Sequence, residues 1–155
     1  MRNIFHLISI RTVSWWLIKR LISLQFPEIE QLSTADLATW LADTERLQPL
    51  LLDARTLEEY QVSHLDDAKL IPEEANNLIE TIDRTTPIVV YCSVGYRSSA
   101  IARRLKSWGY ENVFNLSGSI FQWANENRPV YRQGQTVTEV HPYSKFWQYL
   151  LVDHT

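Results

Sequence analysis

Short apolar runs alternate with segments of helical spacing along most of this chain, and this alternation limits the folds that it can adopt. The runs at residues 50–53, 68–71, 88–91 and 112–116 predict strands, because they are too short for helices and are bounded by turn or polar residues. Helices are predicted from the Ser33 cap to Leu41, from Thr56 onward, and over residues 73–82, 98–108 and 120–125. Strands that alternate with helices predict an α/β domain with a mainly parallel sheet.

The composition predicts one globular domain and favours no nucleic-acid partner. Fifteen basic and 18 acidic residues give a net charge of -3, so the chain has no overall basic field. With 155 residues, of which 45% are hydrophobic, it has the size of one domain and can fill one core. Its single cysteine permits no intrachain disulfide, which suits a reducing compartment. We therefore predict a cytoplasmic protein.

The first 26 residues differ from the rest, and we interpret them as an amphipathic helical extension. Residues 1–25 contain four basic residues and no acidic one. On a helix, Ile10, Val13, Leu17, Leu21 and Leu24 form one apolar stripe, which Trp15, Ile18 and Ile22 widen. Charged residues interrupt the apolar runs, so the helix is not predicted to cross a bilayer. Two interpretations stay open: the helix docks on its own domain, or it contacts a membrane surface or a partner protein.

The single cysteine, Cys92, directly follows the apolar run at 88–91 and precedes a predicted helix. Open α/β sheets place ligand crevices at the carboxyl ends of their strands, so this position predicts a functional site. Gly95 permits a tight loop, and the positive end of the next helix and Arg97 both favour a thiolate over a thiol. Although a lone cysteine is often only a small core residue, this combination of strand, loop, arginine and helix favours a nucleophile.

Three motifs follow one another in a fixed order. The first reads LDAR at 52–55, with EY at 59–60 and SHL at 63–65; the second is VVYCSVGYRS at 89–98; the third is NLSGSIFQW at 115–123. Together they resemble the signatures of the rhodanese-like domain family of sulfurtransferases, over residues 28–130. Ser63 and Ser119 stand where that family usually has glycine.

The resemblance implies a three-layer rhodanese-like fold, in which a mainly parallel sheet of about five strands has helices on both faces. We expect residues 27–130 to form this domain. Residues 1–26 would be the helical extension, and residues 131–155 an aromatic tail that packs on the domain.

The resemblance also implies a reaction. The Cys92 thiolate attacks the sulfane sulfur of a donor, becomes a persulfide, and passes the outer sulfur to an acceptor. The backbone amides of the loop would hold the negative charge; they belong to Ser93, Val94, Gly95, Tyr96, Arg97 and Ser98. Arg97 would either steer an anionic donor or clamp the loop backbone. The implied partners are a small-molecule or protein persulfide as donor and a thiol as acceptor, with no metal and no organic cofactor.

Four further polar residues lie in or near the first motif: Asp53, Arg55, Glu59 and His64. We interpret them as supporting residues, because Glu59 has capping-box spacing from Thr56 and an ionised thiolate requires no general base. The other histidines are too scattered to predict a metal site.

Two positions bear on the choice of donor. The resemblance bears on this because rhodaneses adapted to thiosulfate present cationic side chains in the loop and on the helix that corresponds to residues 56–60, and the matching residues here are Val94 and Glu59. A dianion would thus meet little positive charge apart from Arg97. We therefore predict weak thiosulfate activity and a persulfide as the better donor.

Two other functions share this architecture. Related cysteine phosphatases and arsenate reductases have five residues between cysteine and arginine, whereas Ser93 to Tyr96 supplies four, which suits a single sulfur atom better than a tetrahedral oxyanion. Alternatively, the chain is a non-catalytic interaction or sulfur-sensing module that uses its amphipathic N-terminal segment and its aromatic residues 143–151 to bind a partner.

Overall fold

A computed structural model describes residues 9–71 and 79–152 of the chain. Its main sheet has five strands: β1 (Glu30–Leu32), β2 (Leu50–Asp53), β3 (Lys69–Leu70), β4 (Ile88–Tyr91) and β5 (Val113–Leu116). The helices are α1 (Ile10–Gln25), α2 (Thr34–Ala42), α3 (Leu57–Val62), α4 (Tyr96–Ser107) and α5 (Ser119–Asn125). A hairpin of β6 (Val130–Arg132) and β7 (Gln135–Val137) and a short 3-10 helix, Trp147–Leu150, follow.

The five main strands are all parallel and lie in the order β1-β5-β4-β2-β3. Parallel neighbours need crossover connections, which the intervening segments provide. β4 occupies the centre and all four of its residues are buried, as its uninterrupted apolar sequence predicts. The predicted α/β fold with helices on both faces of a five-stranded parallel sheet is confirmed.

The core has two halves, one on each face of the sheet. Successive side chains of a strand point to opposite faces, so Leu52 and Val90 pack in one half and Leu51 and Val89 in the other. The first half contains residues of α1 and α4, and the second contains residues of α2, α5 and the C-terminal tail. The sheet is therefore covered on both faces.

Helix α1 packs with a different face from the one that its strongest stripe suggests. Ile22 is buried in the core and Ile18 packs against it, whereas the stripe of Ile10, Val13, Leu17, Leu21 and Leu24 is exposed. Trp15 packs against the second half of the core. The predicted helix is present, but the residues that pack against the core are Trp15, Ile18 and Ile22, which lie beside the main stripe.

Some element predictions were wrong or incomplete. The predicted helix over 73–82 lies mostly outside the described residues, and residues 79–82 form turns rather than helix. Helix α4 begins at Tyr96, two residues before the predicted start. Strand β1 and the hairpin were not predicted, because each of these strands has only three residues with little apolar alternation.

The last described residues, 147–152, pack against the second half of the core and against α1. Leu150 is fully buried among the residues of the second half of the core. The Asn125 side chain donates to the Leu150 carbonyl (2.7 Å) and accepts from the Val152 amide (2.8 Å). Arg11 of α1 donates to the Tyr149 carbonyl at 2.9 Å. The tail is thus held both by α5 and by α1.

Candidate active site

Cys92 directly follows the carboxyl end of β4, at the start of the loop that leads into α4. It is 1% exposed. The Gly95 amide donates to the Cys92 Sγ at 3.2 Å. The loop therefore curls back over the sulfur, and of the six loop amides named in the sequence analysis, that of Gly95 contacts it directly.

Gly95 is required by both conformation and space. Its φ of 116° lies in a region that residues with a Cβ avoid. A Cβ there would lie 3.2 Å from the Asn115 Nδ2 and 3.4 Å from the Ile22 Cδ1. The loop is thus confined between β5 and α1, and a side chain at this position would push it away from both.

The helix that follows presents its positive end to the loop. The amides of Tyr96, Arg97 and Ser98 form the first turn of α4, where no intrahelical acceptor exists. Among the described residues, no side chain caps this helix. The positive end of the helix dipole therefore lies at the end of the loop that carries Cys92, where it favours negative charge.

Ser98 adds a hydroxyl beside the sulfur. Its Oγ lies 3.4 Å from the Cys92 Sγ and 2.6 Å from the Asn115 Oδ1. A hydroxyl has one proton, so it donates to either the sulfur or the amide oxygen at a given moment. Asn115 is fixed in turn by donating to the Gln31 Oε1 at 2.7 Å.

Arg97 is held by Glu59. Two guanidinium nitrogens of Arg97 donate to the two carboxylate oxygens of Glu59, each at 2.8 Å, and one also donates to the Ser93 Oγ at 2.9 Å. Ser93 donates to the same carboxylate at 3.1 Å. Glu59 also accepts from the Thr56 amide, which completes the predicted capping box of α3. Glu59 therefore joins α3 to the cysteine loop.

The pKa values reflect this pairing. Burial opposes the ionisation of Glu59, but the hydrogen bonds from Arg97 and the Thr56 amide outweigh it and lower the pKa of the carboxyl from 4.5 to about 2. Burial also opposes the charge of Arg97, but the hydrogen bonds to Glu59 and the charges of Cys92 and Glu59 outweigh it and raise the pKa of Arg97. Both side chains are therefore ionised around neutral pH.

Asp53 and Arg55 pair with each other, and His64 has its own contacts nearby in the chain. Arg55 makes a fully buried bidentate ion pair with Asp53, at 2.9 and 2.7 Å, and donates to the Ser63 carbonyl at 2.6 Å. His64 stacks on Tyr60, and its Nδ1 contacts the Leu65 carbonyl at 2.8 Å. Among the described residues, no hydrogen bond joins these three side chains to the cysteine loop. Their contacts connect the end of β2 to the segment after α3.

Ser63 and Ser119, which stand where the rhodanese-like signatures usually have glycine, have different contacts. Ser119 keeps a left-handed backbone (φ 49°), and its Oγ accepts from the Cys92 amide at 3.1 Å while donating to the Leu116 carbonyl at 3.0 Å. Ser63 is extended and donates to the Glu139 carbonyl at 2.6 Å. Ser119 thus fixes the backbone of Cys92, a contact that the sequence analysis did not identify.

A cavity of about 420 Å³ lies next to Cys92. It is lined by Cys92, Ser93, Val94, Tyr96 and Arg97 from the loop and the start of α4, by Ile18, Leu21, Ile22 and Gln25 from α1, and by Tyr143 and Trp147 from the tail. The site therefore has walls from both ends of the chain. Across residues 9–71 and 79–152, no three His, Cys, Asp or Glu side chains lie close enough together to hold a metal ion.

Comparison with known proteins agrees with this geometry. The model of the rhodanese-like domain family matches residues 33–126, which is more than half of the chain. The sulfurtransferase of Allochromatium vinosum is 32% identical over 103 residues, covering 66% of this chain and 94% of that protein. The adenylyltransferase and sulfurtransferase uba4 of Ogataea parapolymorpha is 36% identical over 88 residues, which is 54% of this chain. The chain spans only 23% of uba4, and 24% of the probable adenylyltransferase/sulfurtransferase MoeZ of Mycobacterium tuberculosis.

Solved structures show the same fold. A rhodanese-related protein from Thermoplasma volcanium superposes with a TM-score of 0.57 at 25% identity, covering 71% of this chain and 99% of that one. The polysulfide-sulfur transferase of Wolinella succinogenes superposes with a TM-score of 0.60 at 21% identity, covering 77% of this chain and 90% of that one. With the family match across residues 33–126, these findings establish that the chain belongs to the rhodanese-like domain family.

Proposed function

We propose that this protein is a sulfurtransferase that carries sulfane sulfur as a persulfide on Cys92. The observation that carries this proposal is the setting of the Cys92 Sγ, which accepts a hydrogen bond from the Gly95 amide, faces the start of α4 and borders a cavity. Relatives that are named sulfurtransferases support a sulfur-transfer role at the level of the family.

The proposed reaction has two balanced steps. The Cys92 thiolate attacks the outer sulfur of a donor R–S–S⁻, so that a Cys92 S–S bond forms while the donor S–S bond breaks and R–S⁻ leaves with the electron pair. An acceptor thiolate then attacks the outer sulfur of the Cys92 persulfide and releases the Cys92 thiolate. The sulfur is transferred without an added oxidant or reductant.

The protein would stabilise the persulfide electrostatically. The amides of residues 93–98 supply donors around the place where the outer sulfur would lie, and those at the start of α4 have no intrahelical acceptor. Arg97, whose charge is paired with Glu59, supports the site by holding the loop through its bonds to Glu59 and Ser93. In this proposal Asp53, Arg55 and His64 support the neighbouring backbone and do not contact substrate.

We expect glutathione persulfide to load Cys92 at least about tenfold faster than thiosulfate does. Val94 is apolar, and the guanidinium of Arg97 is already paired with Glu59, so a dianion meets little free positive charge. Intact mass, followed over time, measures the gain of one sulfur atom, which a thiol should reverse. Efficient thiosulfate turnover at low micromolar substrate would contradict the donor preference, and no loading from either donor would favour the interaction or sensing module.

Phosphatase chemistry is disfavoured by the same contacts. Four residues separate Cys92 from Arg97, and both terminal nitrogens of Arg97 are bound by Glu59. Hydrolysis of a generic aryl phosphate by the protein would restore this alternative.

The extensions have proposed roles as well. We take residues 27–130 as the domain and 1–26 and 131–155 as extensions, of which helix α1, Tyr143 and Trp147 complete the site. We place the protein in the cytoplasm because a free reactive thiol suits a reducing compartment. In the part of the chain that the structure describes, no helix is long and apolar enough to cross a membrane.

The exposed apolar stripe of α1 is a candidate for peripheral association with an anionic lipid surface. Five apolar side chains of α1 form the exposed stripe, Arg20 and Trp16 are exposed along its flank, and α1 contains no acidic residue. Interfacial helices combine an apolar face with basic flanks and a tryptophan in this way.

We expect the protein to sediment with vesicles of phosphatidylglycerol and phosphatidylcholine and not with phosphatidylcholine alone. Leu17→Glu should weaken this binding about tenfold, because it places a charge in the apolar stripe and repels the anionic lipid. Leu57→Glu is the matched control, since Leu57 is 56% exposed against 49% for Leu17 but belongs to α3. Absence of sedimentation would overturn the lipid proposal and point to a protein partner for this face.

A further inference from the structure

The cavity beside Cys92 is built largely by segments outside the family match. Helix α1 contributes Ile18, Leu21 and Ile22, and the tail contributes Tyr143 and Trp147. All of these residues lie outside residues 33–126. The family core therefore supplies the nucleophile, and the extensions of this chain supply much of the surface that a substrate would touch.

These walls are fixed to the loop and to each other. The Ile22 side chain packs closely on Gly95: a Cβ added to Gly95 would lie 3.4 Å from the Ile22 Cδ1. Arg11 joins α1 to the tail through the Tyr149 carbonyl, and Leu150 anchors the tail in the core. The cavity is thus part of the packed structure, and its volume of about 420 Å³ is within the usual range of small-molecule sites.

The cavity presents little charge to a ligand. Arg97 is the one basic residue among its described lining residues, and Glu59 binds both of its terminal nitrogens. The Tyr143 ring also lies over the guanidinium, with 4.6 Å between the Arg97 Cζ and the ring centroid. A small anion would therefore find the guanidinium already neutralised and partly covered.

Tyr143 is held in a conformation that is unfavourable for its residue type. Its φ of 63° is in the left-handed region, which bulky residues rarely adopt, and its amide donates to the His141 Nδ1 at 3.0 Å. Strain of this kind is concentrated at functional sites. Here it places an aromatic ring at the wall of the cavity.

From these features we propose that the cavity selects sulfur donors that carry an apolar aryl or branched alkyl group next to the sulfane sulfur. The apolar group would lie against Leu21, Tyr143 and Trp147 while its sulfur reaches Cys92. This inference deepens the proposed sulfur transfer and depends on it.

Two thiosulfonates make a matched pair of probes. Methanethiosulfonate and benzenethiosulfonate are both monoanions with one sulfane sulfur, and they differ in the group R of RSO₂–S⁻. The Cys92 thiolate attacks the sulfane sulfur, the new S–S bond forms, the bond to the sulfonyl sulfur breaks, and the sulfinate RSO₂⁻ leaves with the electron pair. Each loading rate is divided by the rate of the same probe with a free low-molecular-weight thiol, which corrects for intrinsic reactivity.

We expect the corrected loading rate to be at least about tenfold higher for the phenyl donor than for the methyl donor, because the ring buries apolar surface that the methyl group does not. Leu21→Asn should reduce this preference at least about threefold, since it replaces an apolar wall by an amide. Leu21 is 57% exposed, so the variant is expected to fold. Leu47→Asn is the control, because Leu47 is 71% exposed and does not line the cavity. Tyr143→Asn, which tolerates a positive φ, should also reduce the preference, because it removes the aromatic ring from the cavity wall.

The outcomes separate the two proposals. Loading from both probes without a preference would overturn the apolar selection and leave sulfur transfer intact. An equal effect of Leu21→Asn and Leu47→Asn would also overturn it. No loading from any donor would overturn sulfur transfer at Cys92 and the selection together.

Discussion

Replacement of Cys92 by serine is expected to abolish sulfur loading, with no gain of one sulfur mass from either glutathione persulfide or a thiosulfonate. Serine keeps the size of the side chain and can still accept from the Gly95 amide, so the loop should keep its conformation. A hydroxyl is not ionised at neutral pH and cannot form a persulfide, so the first step of the reaction is lost. Because Cys92 is the chain's only cysteine, intact mass reports on this one position.

Thermal unfolding of Cys92→Ser should show a midpoint close to that of the wild type, which would separate loss of the nucleophile from loss of the fold. Sulfur transfer by the variant at a substantial fraction of the wild-type rate would contradict the role of Cys92. Since no second cysteine can replace it, such a result would also exclude a persulfide mechanism for this chain.

The alternation of short apolar runs and helices was sufficient to predict most of the sheet. β2 and β4 are apolar because both of their faces are covered, and this burial leaves a clear pattern in the sequence. β1 leaves no such pattern: Glu30, Gln31 and Leu32 form an edge strand that is defined by its pairing with β5. Pairing between segments distant in the chain is not encoded in the local spacing of apolar residues.

The cysteine loop was predictable because its chemistry is local in the sequence, from Cys92 to Ser98. The residues that support it from elsewhere were harder to identify. Asn115 is a polar residue within the buried strand β5, and this contrast was the available signal for its bond to Ser98. In the sequence Ser119 stands out only as a departure from glycine, because its bond to the Cys92 amide depends on how α5 meets β4.

The orientation of α1 could not be decided from periodicity. Apolar residues cover more than half of its circumference, so two faces were available for packing. The choice depends on the space beside Gly95, which Ile22 fills, and this contact spans more than 70 residues of sequence. The same contact brings α1 to the cavity beside Cys92, a link that local periodicity does not reveal.

Glu59→Gln is expected to lower the free energy of unfolding at pH 7 by about 3 kcal/mol, measured in urea. The Glu59 side chain is 2% exposed and that of Arg97 is 24% exposed, so the variant leaves a largely buried guanidinium without its counter-charge. It also weakens the link between α3 and Ser93. Glu28→Gln is the matched control, because Glu28 pairs with Arg103 on the exposed surface and its loss should have little effect.

The contribution of Glu59 is expected to disappear in acid. Its pKa is about 2 in the folded protein against an ordinary value of 4.5, because its hydrogen bonds from Arg97 and the Thr56 amide outweigh the opposing effect of burial. A carboxyl group whose pKa is lowered by folding stabilises the fold fully at pH values above its pKa in the unfolded state. This stabilisation is lost as the pH falls towards its pKa in the folded state. The difference between wild type and Glu59→Gln should thus be constant near neutrality and shrink from about pH 5 to about pH 2. A difference that stays constant across that range would show that the ionised carboxylate does not stabilise the loop.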